Sequence, residues 1–361
     1  MAASRALEDL VVESHKGPYR VRFKPGALES LEDTCPSSTF VVIDQRVADL
    51  YQDQLREVLA RPSTLRIEAT EVRKALESFP DYVDHLVAHR IRKGHVLTAV
   101  GGGILQDIVC FLAATLLRGL DWHFFPTTLL AQADSCIGSK SSINVRATKN
   151  VVGTFTPPRQ VVVDVALLDT LSEAEIRSGV GEMLKVHAIA GPETFNEIAA
   201  DYNRLLAERD VLEHYIVRSL ELKRVLVEKD EFDQGPRRIM NYGHSFGHAI
   251  ESATGFAVPH GIAVTIGMDM ANHVALALGR TSEETVARMK PVLVMNYAGF
   301  EGTPIPVDAL LRAIAKDKKN TASALRLVLP DRAGRLSLVD QAADERFRRA
   351  CEDYLEELAA A

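Results

Sequence analysis

The feature that most limits how this chain can fold is a change of rhythm near residue 170. Before it, short runs rich in β-branched and aromatic residues recur: YRVRF (19–23), TFVVID (39–44), TLRIEA (64–69), VLTAV (96–100), HFFPTT (123–128) and QVVVD (160–164). Between them, VADLYQDQLREVLA (47–60) and VRKALESFPDYVDHLVAHRI (72–91) read as helices. Strand, helix and strand repeated in this order predict an α/β fold with a parallel sheet, because a parallel neighbour needs a crossover long enough to hold a helix. After residue 172 the strand pattern nearly vanishes, and helical periodicity carries the rest apart from LRLVLP (325–330) and RLSLV (335–339). At 361 residues the chain exceeds the size at which one core usually stops growing. Two domains are expected, an α/β domain over 1–172 and a mainly α-helical domain over 173–361. Ser172 and Glu175 form a capping box that starts the first helix of the second domain.

Composition removes some functions. The formal charge of −7 gives no general attraction for nucleic acid or an anionic membrane, so an anionic ligand needs a local cluster of Lys and Arg. No apolar run approaches the length of a membrane span, and the N-terminus lacks a signal-like apolar stretch. Four cysteines without a CxxC pair fit a reducing compartment. A cytoplasmic protein is expected.

Within the α/β part, VLTAVGGGILQDIVCFLAATLLRG (96–119) reads as a buried strand, three glycines and a helix. Glycines at such a turn admit a ligand close to the backbone, and the helix N-terminus offers N–H groups to a pyrophosphate. The pattern is not GxGxxG, so a mere tight turn stays open beside dinucleotide binding. Asp44, ending TFVVID, stands where an acid reaches a ribose hydroxyl or simply closes a turn. Glu71 and Lys74 fit a solvated helix face. The stretch PTTLLAQADSCIGSKSSINVRATKN (126–150) reads as a long polar loop, functional or merely solvated.

In the helical part, NYGHSFGHAIESATGFAVPHG (241–261) holds three histidines. His244 and His248 share one helix face, and His260 is expected on the loop beyond a C-cap at Gly255. Core histidines and a metal site are both compatible with this spacing. HExxH is absent, so a metal set needs a distant carboxylate, and Glu182 in SGVGEMLKVHAI (178–189), near the start of its helix with Lys185 following, is a candidate. Lys223, Arg237, Lys318 and Lys319 form either a solvated face or the anion clamp that an acidic chain requires.

Taken in order, GGGILQD, ATLLRG, PTTLLAQADS, KN, GVGEMLK, KDEFDQGPRRIMNYGHSFGHAIE, PHG and DKK resemble the 3-dehydroquinate synthase group of the sugar-phosphate cyclases, collinearly from Asp44 to Lys319. The resemblance implies an N-terminal NAD-binding domain, a helical metal-binding domain, an active site between them and a homodimer. It implies Glu182, His244 and His260 as ligands of zinc or cobalt, with His248 left to phosphate binding and proton transfer. Asp44, Glu71, Lys74, Gly101, Gly102, Gly103, Asp107, Thr127, Thr128, Lys149 and Thr170 fall where the family contacts NAD. Asp134 and Lys185 match positions near the substrate hydroxyls and the metal, and Lys140, Asn150, Asn241 and Lys319 match a phosphate cradle. Lys223 and Arg237 match the pair holding a substrate carboxylate, and Arg118 one that reaches into a neighbouring subunit.

The implied reaction is oxidation by NAD⁺, β-elimination of phosphate, return of hydride and aldol closure, turning 3-deoxy-arabino-heptulosonate 7-phosphate into 3-dehydroquinate. Two departures bear on the substrate: DSCIGSKSSIN replaces a segment close to DSSVGGKTGIN, and Gln106 stands where glycine precedes the aspartate. A cyclase of another sugar 7-phosphate, such as sedoheptulose 7-phosphate, is the alternative. A metal-dependent polyol dehydrogenase shares the two-domain plan, but it leaves the phosphate and carboxylate clamps without a purpose.

Overall fold

The computed structural model describes residues 8–29, 31, 38–146, 148–317, 320 and 324–360. Lys318 and Lys319 lie outside the described residues. The chain divides into two compact units, one running to Leu171 and taking in Arg224–Phe232, the other comprising Ser172–Lys223 and Asp233–Ala361.

The first unit is built on β1 (Leu10–Val12), β2 (Tyr19–Phe23), β3 (Thr39–Asp44), β4 (Leu65–Ile67), β5 (Val96–Gly101), β6 (Asp121–Pro126) and β9 (Gln160–Val163), with a separate hairpin of β7 (Ile143–Val145) and β8 (Thr148–Val152). The seven-stranded sheet has the order β1-β2-β9-β6-β5-β3-β4 and is parallel except for β1 against β2. Its inner strands β3 and β5 are buried along nearly their whole length, whereas β2 alternates buried and exposed residues. Continuous apolar runs are what a strand covered on both faces requires. The helices here are α1 (Gln45–Leu50), α2 (Arg56–Ala60), α3 (Phe79–Ala88) and α4 (Gly103–Thr115).

All six expected strands form, and β1 is an additional one. Its three residues are too few to give a periodic pattern, and its partner strand defines it. The helix expected over 47–60 is two short pieces, and that over 72–91 starts only at Phe79, with Pro80 in its first turn. The polar loop expected over 126–150 is instead a π-helical turn, Ala131–Ser135, followed by the β7–β8 hairpin. The hairpin pairs a segment whose alternation is blurred by Ser, Thr and Asn. A single cut near residue 172 omits Arg224–Phe232 from the first unit. Glu13 N donates to Glu228 Oε1 at 3.0 Å, His15 N to Glu231 Oε2 at 2.8 Å, and Arg224 Nη1 to the Val11 carbonyl at 3.2 Å.

The second unit contains α5 (Glu173–Ala190), α6 (Pro192–Ala200), α7 (Tyr202–Ala207), α8 (Arg209–Lys229, through Lys223), α9 (His244–Ala253), α10 (His260–Ala277), α11 (Glu283–Tyr297), α12 (Val307–Ala315), the antiparallel pair β10 (Leu325–Pro330) and β11 (Leu336–Gln341), and α13 (Glu345–Ala360). The capping box at Ser172 and Glu175 forms at the start of α5. Helix α10 is buried on nearly every side and packs against α5, α9, α11 and α13. A helix apolar all round is a central one. His260 opens α10 as its first residue, and does not sit on a loop: the preceding Pro259, just outside the helix, has extended backbone and ends the loop there. Glu182 lies in the middle of α5, not near its start. No helix among the described residues is long and apolar enough to cross a membrane.

Candidate active site

Three helices of the second unit meet through glycines. A Cβ on Gly261 of α10 would overlap the Ser178 carbonyl of α5, and one on Gly181 of α5 would run into the Gly261 carbonyl and stand 2.5 Å from Thr265 Oγ1. Between α9 and α10, a Cβ on Gly247 would lie 3.0 Å from the Ala263 carbonyl oxygen, and one on Gly267 would stand 2.7 Å from Gly247 N. Only residues without a side chain allow helix backbones to approach this closely. Gly181 precedes Glu182, Gly243 and Gly247 precede His244 and His248, and Gly261 follows His260. Each contact of backbones therefore sits beside a chemically active side chain.

The result is a compact polar cluster. Glu182 Oε1 lies 3.3 Å from His260 Nε2 and 3.6 Å from His244 Nε2, and Glu182 Oε2 pairs with Lys185. Glu182 is 1% exposed and Lys185 2%. The ring of His248 is 5.1 Å from that of His244 and 5.7 Å from that of His260, centroid to centroid. Candidate ligand atoms of all three histidines lie within 4.8 Å of one another.

The charges in this cluster depend on one another. Burial alone would raise the pKa of Glu182, but Lys185 and His260 hold it below the ordinary carboxylate range. Burial likewise opposes charge on His260, yet Glu182 and Glu251 outweigh it and push its pKa up to about 10. Two donor atoms about 2.1 Å from zinc at a tetrahedral angle stand roughly 3.4 Å apart, which matches the spacing of Glu182 from both imidazoles. One carboxylate and two imidazoles make three ligands, the number that catalytic zinc sites combine with an open fourth position.

Around this cluster, the other candidates are placed by neighbouring elements. Lys223 on α8 and Arg237 in the turn Pro236–Asn241 are each 7% exposed, unusually buried for cations. Asn241 ends that turn and donates Nδ2 to the Arg238 carbonyl at 2.8 Å. Glu251 was not singled out from the sequence, yet its Oε2 lies 3.3 Å from His260 Nδ1. The signal was available, since His244, His248 and Glu251 recur at i, i+4 and i+7 on one face of α9.

In the first unit the remaining candidates gather at the carboxyl ends of the strands. The chain leaves β3 for β4 on one side and returns to β5 on the other, so the sheet has a switch point between β3 and β5. Ligand crevices of open α/β sheets form at such points. Asp44 ends β3, capping α1 by accepting from Arg46 N at 3.1 Å, and Gly101 ends β5, where a Cβ would come within 3.3 Å of Asp44 Cβ. Gly102 is the N-cap of α4, with no side-chain cap and no acid in the first turn. A Cβ on Gly102 would meet Thr128 Cγ2 at 3.1 Å, and one on Gly103 Ser135 Oγ at 3.6 Å; Thr127 N donates to the Gly101 carbonyl at 3.0 Å. A bare backbone turn at an uncapped helix N-terminus suits a pyrophosphate.

Beside it, Asp107 pairs with buried Lys74 at 2.6 Å and accepts from Ser142 N at 2.9 Å; burial keeps its pKa raised despite Lys74. Glu71 accepts from Asn144 Nδ2 at 2.9 Å and pairs with Lys149 at 3.4 Å, while Asn150 N donates to Asn144 Oδ1 at 2.9 Å. Thr170 Oγ1 lies 3.4 Å from Tyr51 Oη. Asp134 is in the π-helical turn, and Lys140 is exposed beside it in sequence, bridged to Phe155. The departure at Gln106 has a structural partner: its Nε2 donates to the Ser135 carbonyl at 2.6 Å, and Ser135 Oγ donates to its Oε1 at 2.5 Å. Arg118 is exposed, with φ +65, in the turn Leu116–Arg118.

The family model described as 3-dehydroquinate synthase N-terminal matches residues 64–178, and the one described as 3-dehydroquinate synthase C-terminal matches residues 179–320. A 3-dehydroquinate synthase of Dictyoglomus turgidum is 35% identical over 307 residues, covering 84% of this chain and 85% of its own. The structure of 2-epi-5-epi-valiolone synthase from Streptomyces hygroscopicus, with NAD⁺ and Zn²⁺ bound, superposes with TM-score 0.82 at 27% identity and covers 99% of both chains. A 2-deoxy-scyllo-inosose synthase structure gives TM-score 0.83 at 22% identity, covering 96% of this chain and all of its own, a likeness of fold.

Proposed function

Because the chain belongs to the 3-dehydroquinate synthase family, and is thus an enzyme of the sugar-phosphate cyclase type, we propose that it converts 3-deoxy-arabino-heptulosonate 7-phosphate to 3-dehydroquinate with NAD⁺ and a divalent metal. The observation that carries the choice of substrate is the pair of buried cations Lys223 and Arg237, placed in the same unit as the metal-ligating set. Two cations gathered under cover make an electropositive lining, and the planar fork of an arginine suits a carboxylate.

When bound, the metal, for which zinc is our choice, supplies Lewis acidity to a substrate oxygen, and NAD⁺ supplies the reversible uptake of hydride. Glu182, His244 and His260 hold the metal. Asp44, Glu71, Lys74, Gly101, Gly102, Gly103, Asp107, Thr127, Thr128, Lys149 and Thr170 hold the dinucleotide, with the Asp107–Lys74 pair fixing the start of α4 against the turn after β4. Lys223 and Arg237 orient the substrate carboxylate, and Lys140, Asn150, Asn241 and Lys319 take the phosphate. Asp134 and Lys185 address substrate hydroxyls, and Lys185 also neutralises Glu182. His248, on the face of α9 shared with His244, moves the proton that accompanies departure of phosphate. The work of the chain is orientation and charge stabilisation, with no nucleophilic serine or cysteine required. The same reading places the protein in the cytoplasm as a homodimer, with exposed Arg118 serving a neighbouring copy.

A second reading, a cyclase of another sugar 7-phosphate, is favoured by Gln106. Its two hydrogen bonds with Ser135 fill a position expected to be glycine. The deciding assay supplies NAD⁺, zinc or cobalt and each sugar phosphate, measuring phosphate release and the carbocycle formed. The heptulosonate is expected to react, and Arg237→Ala to lower kcat/KM for it by at least about tenfold, the loss of a charged hydrogen bond. Turnover of sedoheptulose 7-phosphate alone overturns the first reading in favour of the second, and net accumulation of NADH overturns both.

A further inference from the structure

An imidazole that gives one nitrogen to a metal carries its proton on the other, and whatever accepts that proton sets the tautomer, the ring orientation and the donor strength. The two histidines facing Glu182 solve this differently. His244 Nδ1 lies 3.2 Å from the Tyr242 carbonyl, a backbone acceptor present whatever the side chains nearby. His260 Nδ1 lies 3.3 Å from Glu251 Oε2, a side-chain acceptor. The difference follows from position: His260 opens α10, its side chain is 34% exposed against 15% for His244, and its ring is the less enclosed of the two.

Glu251 is itself well seated. It lies in the last turn of α9, where its carbonyl accepts from Phe256 N at 2.8 Å and from Thr254 Oγ1 at 3.3 Å, and its side chain is 14% exposed. It faces Nδ1 of His260 whereas Glu182 faces Nε2. Opposite nitrogens of one ring point about 140–150° apart by the geometry of a five-membered ring, so these two acids act on His260 from different sides. That arrangement sets Glu251 on the far side of the ring from an ion held at Nε2.

Building on the metal reading above, we infer that Glu251 is a positioning residue of the metal centre: it fixes the proton of His260 on Nδ1, aims Nε2 at the ion and strengthens it as a donor. Outer-shell acceptors of this kind typically change metal affinity by about 10–100-fold when removed. The test compares wild type, Glu251→Gln and Glu251→Leu, each stripped with chelator and reloaded. Zn²⁺ affinity is measured by competition with a chromophoric chelator, the visible spectrum is recorded with Co²⁺, and thermal midpoints are taken before reloading. The expected result is a loss of Zn²⁺ affinity of about tenfold in Glu251→Gln and nearer 100-fold in Glu251→Leu, with altered Co²⁺ bands and similar midpoints. Affinities within about twofold of wild type and an unchanged Co²⁺ spectrum overturn the role of Glu251, on a twofold scale far below the outer-shell range. A lowered midpoint with unchanged affinity overturns it equally, by making Glu251 structural only. Should Glu251→Leu not fold, the isosteric Glu251→Gln decides alone. A wild type that takes up no Zn²⁺ sinks the metal reading itself, and this inference with it; a wild type that binds one ion as tightly as both variants sinks only the inference.

Discussion

Glycine does opposite work in the two units. At Gly101–Gly103 it keeps a turn bare at the end of β5, beside Asp44 and Thr128, so the start of α4 has no side-chain cap. At Gly181, Gly247, Gly261 and Gly267 it lets helix backbones touch, and no space is left over. The first is built by leaving atoms out of a turn; the second is built by removing atoms so that the protein closes on itself. A metal centre held within tenths of an ångström profits from the rigidity of packed helices. A dinucleotide, which brings many atoms of its own, needs chiefly an open cradle with N–H groups.

The contrast is broken most severely by Gly261→Ala. Its methyl would overlap the Ser178 carbonyl, a backbone atom that cannot turn aside, so α5 and α10 must separate. The expected cost exceeds about 3 kcal/mol, the upper range of overpacking, and metal uptake is lost with it. Thermal unfolding and metal content check this, and normal metal content in a stable Gly261→Ala protein would show that the helix contact does not set the site. Glu182→Gln follows: it removes the carboxylate proposed as a metal ligand, so affinity should fall beyond the about 100-fold limit of outer-shell changes, while NAD⁺ titration of the same protein stays as in wild type. Unchanged zinc affinity would refute the ligand assignment. Gly102→Ala is the mildest. Its φ of −85° suits alanine, and a Cβ 3.1 Å from Thr128 Cγ2 asks the threonine to give by a few tenths of an ångström. NAD⁺ affinity should fall by about fivefold, roughly 1 kcal/mol, with zinc affinity untouched. An equal loss of both would erase the distinction drawn between the two sites.

Much of this could be read from the chain alone, for reasons that differ by element. The inner strands β3, β5 and β9 are legible as short runs without polar alternation, because burial on both faces leaves none. The capping box at Ser172 marked the start of α5 because its two hydrogen bonds are local in sequence. What escaped depended on distant partners. Strand β1 exists only against β2, the β7–β8 hairpin hides in a polar segment, and the segment Arg224–Phe232 belongs with the first unit through bonds to residues more than 200 positions away. The candidate metal residues were visible as types and spacing, but their meeting was not: the glycine beside each is a mark of helix contact that reads locally as a break. The C-cap at Gly255 predicts a loop for His260, but the loop ends at Pro259 and the next helix begins at His260 itself.

The crossing of α5 and α10 has a consequence for how such a centre tolerates change. Glu182 and His260 adjoin the two glycines at that crossing, so the spacing of their backbones is dictated by main chain resting on main chain, and rotamers need set only the remainder. A loop could drift and take its ligand with it, whereas two helices locked backbone to backbone return these side chains to the same starting points each time the chain folds.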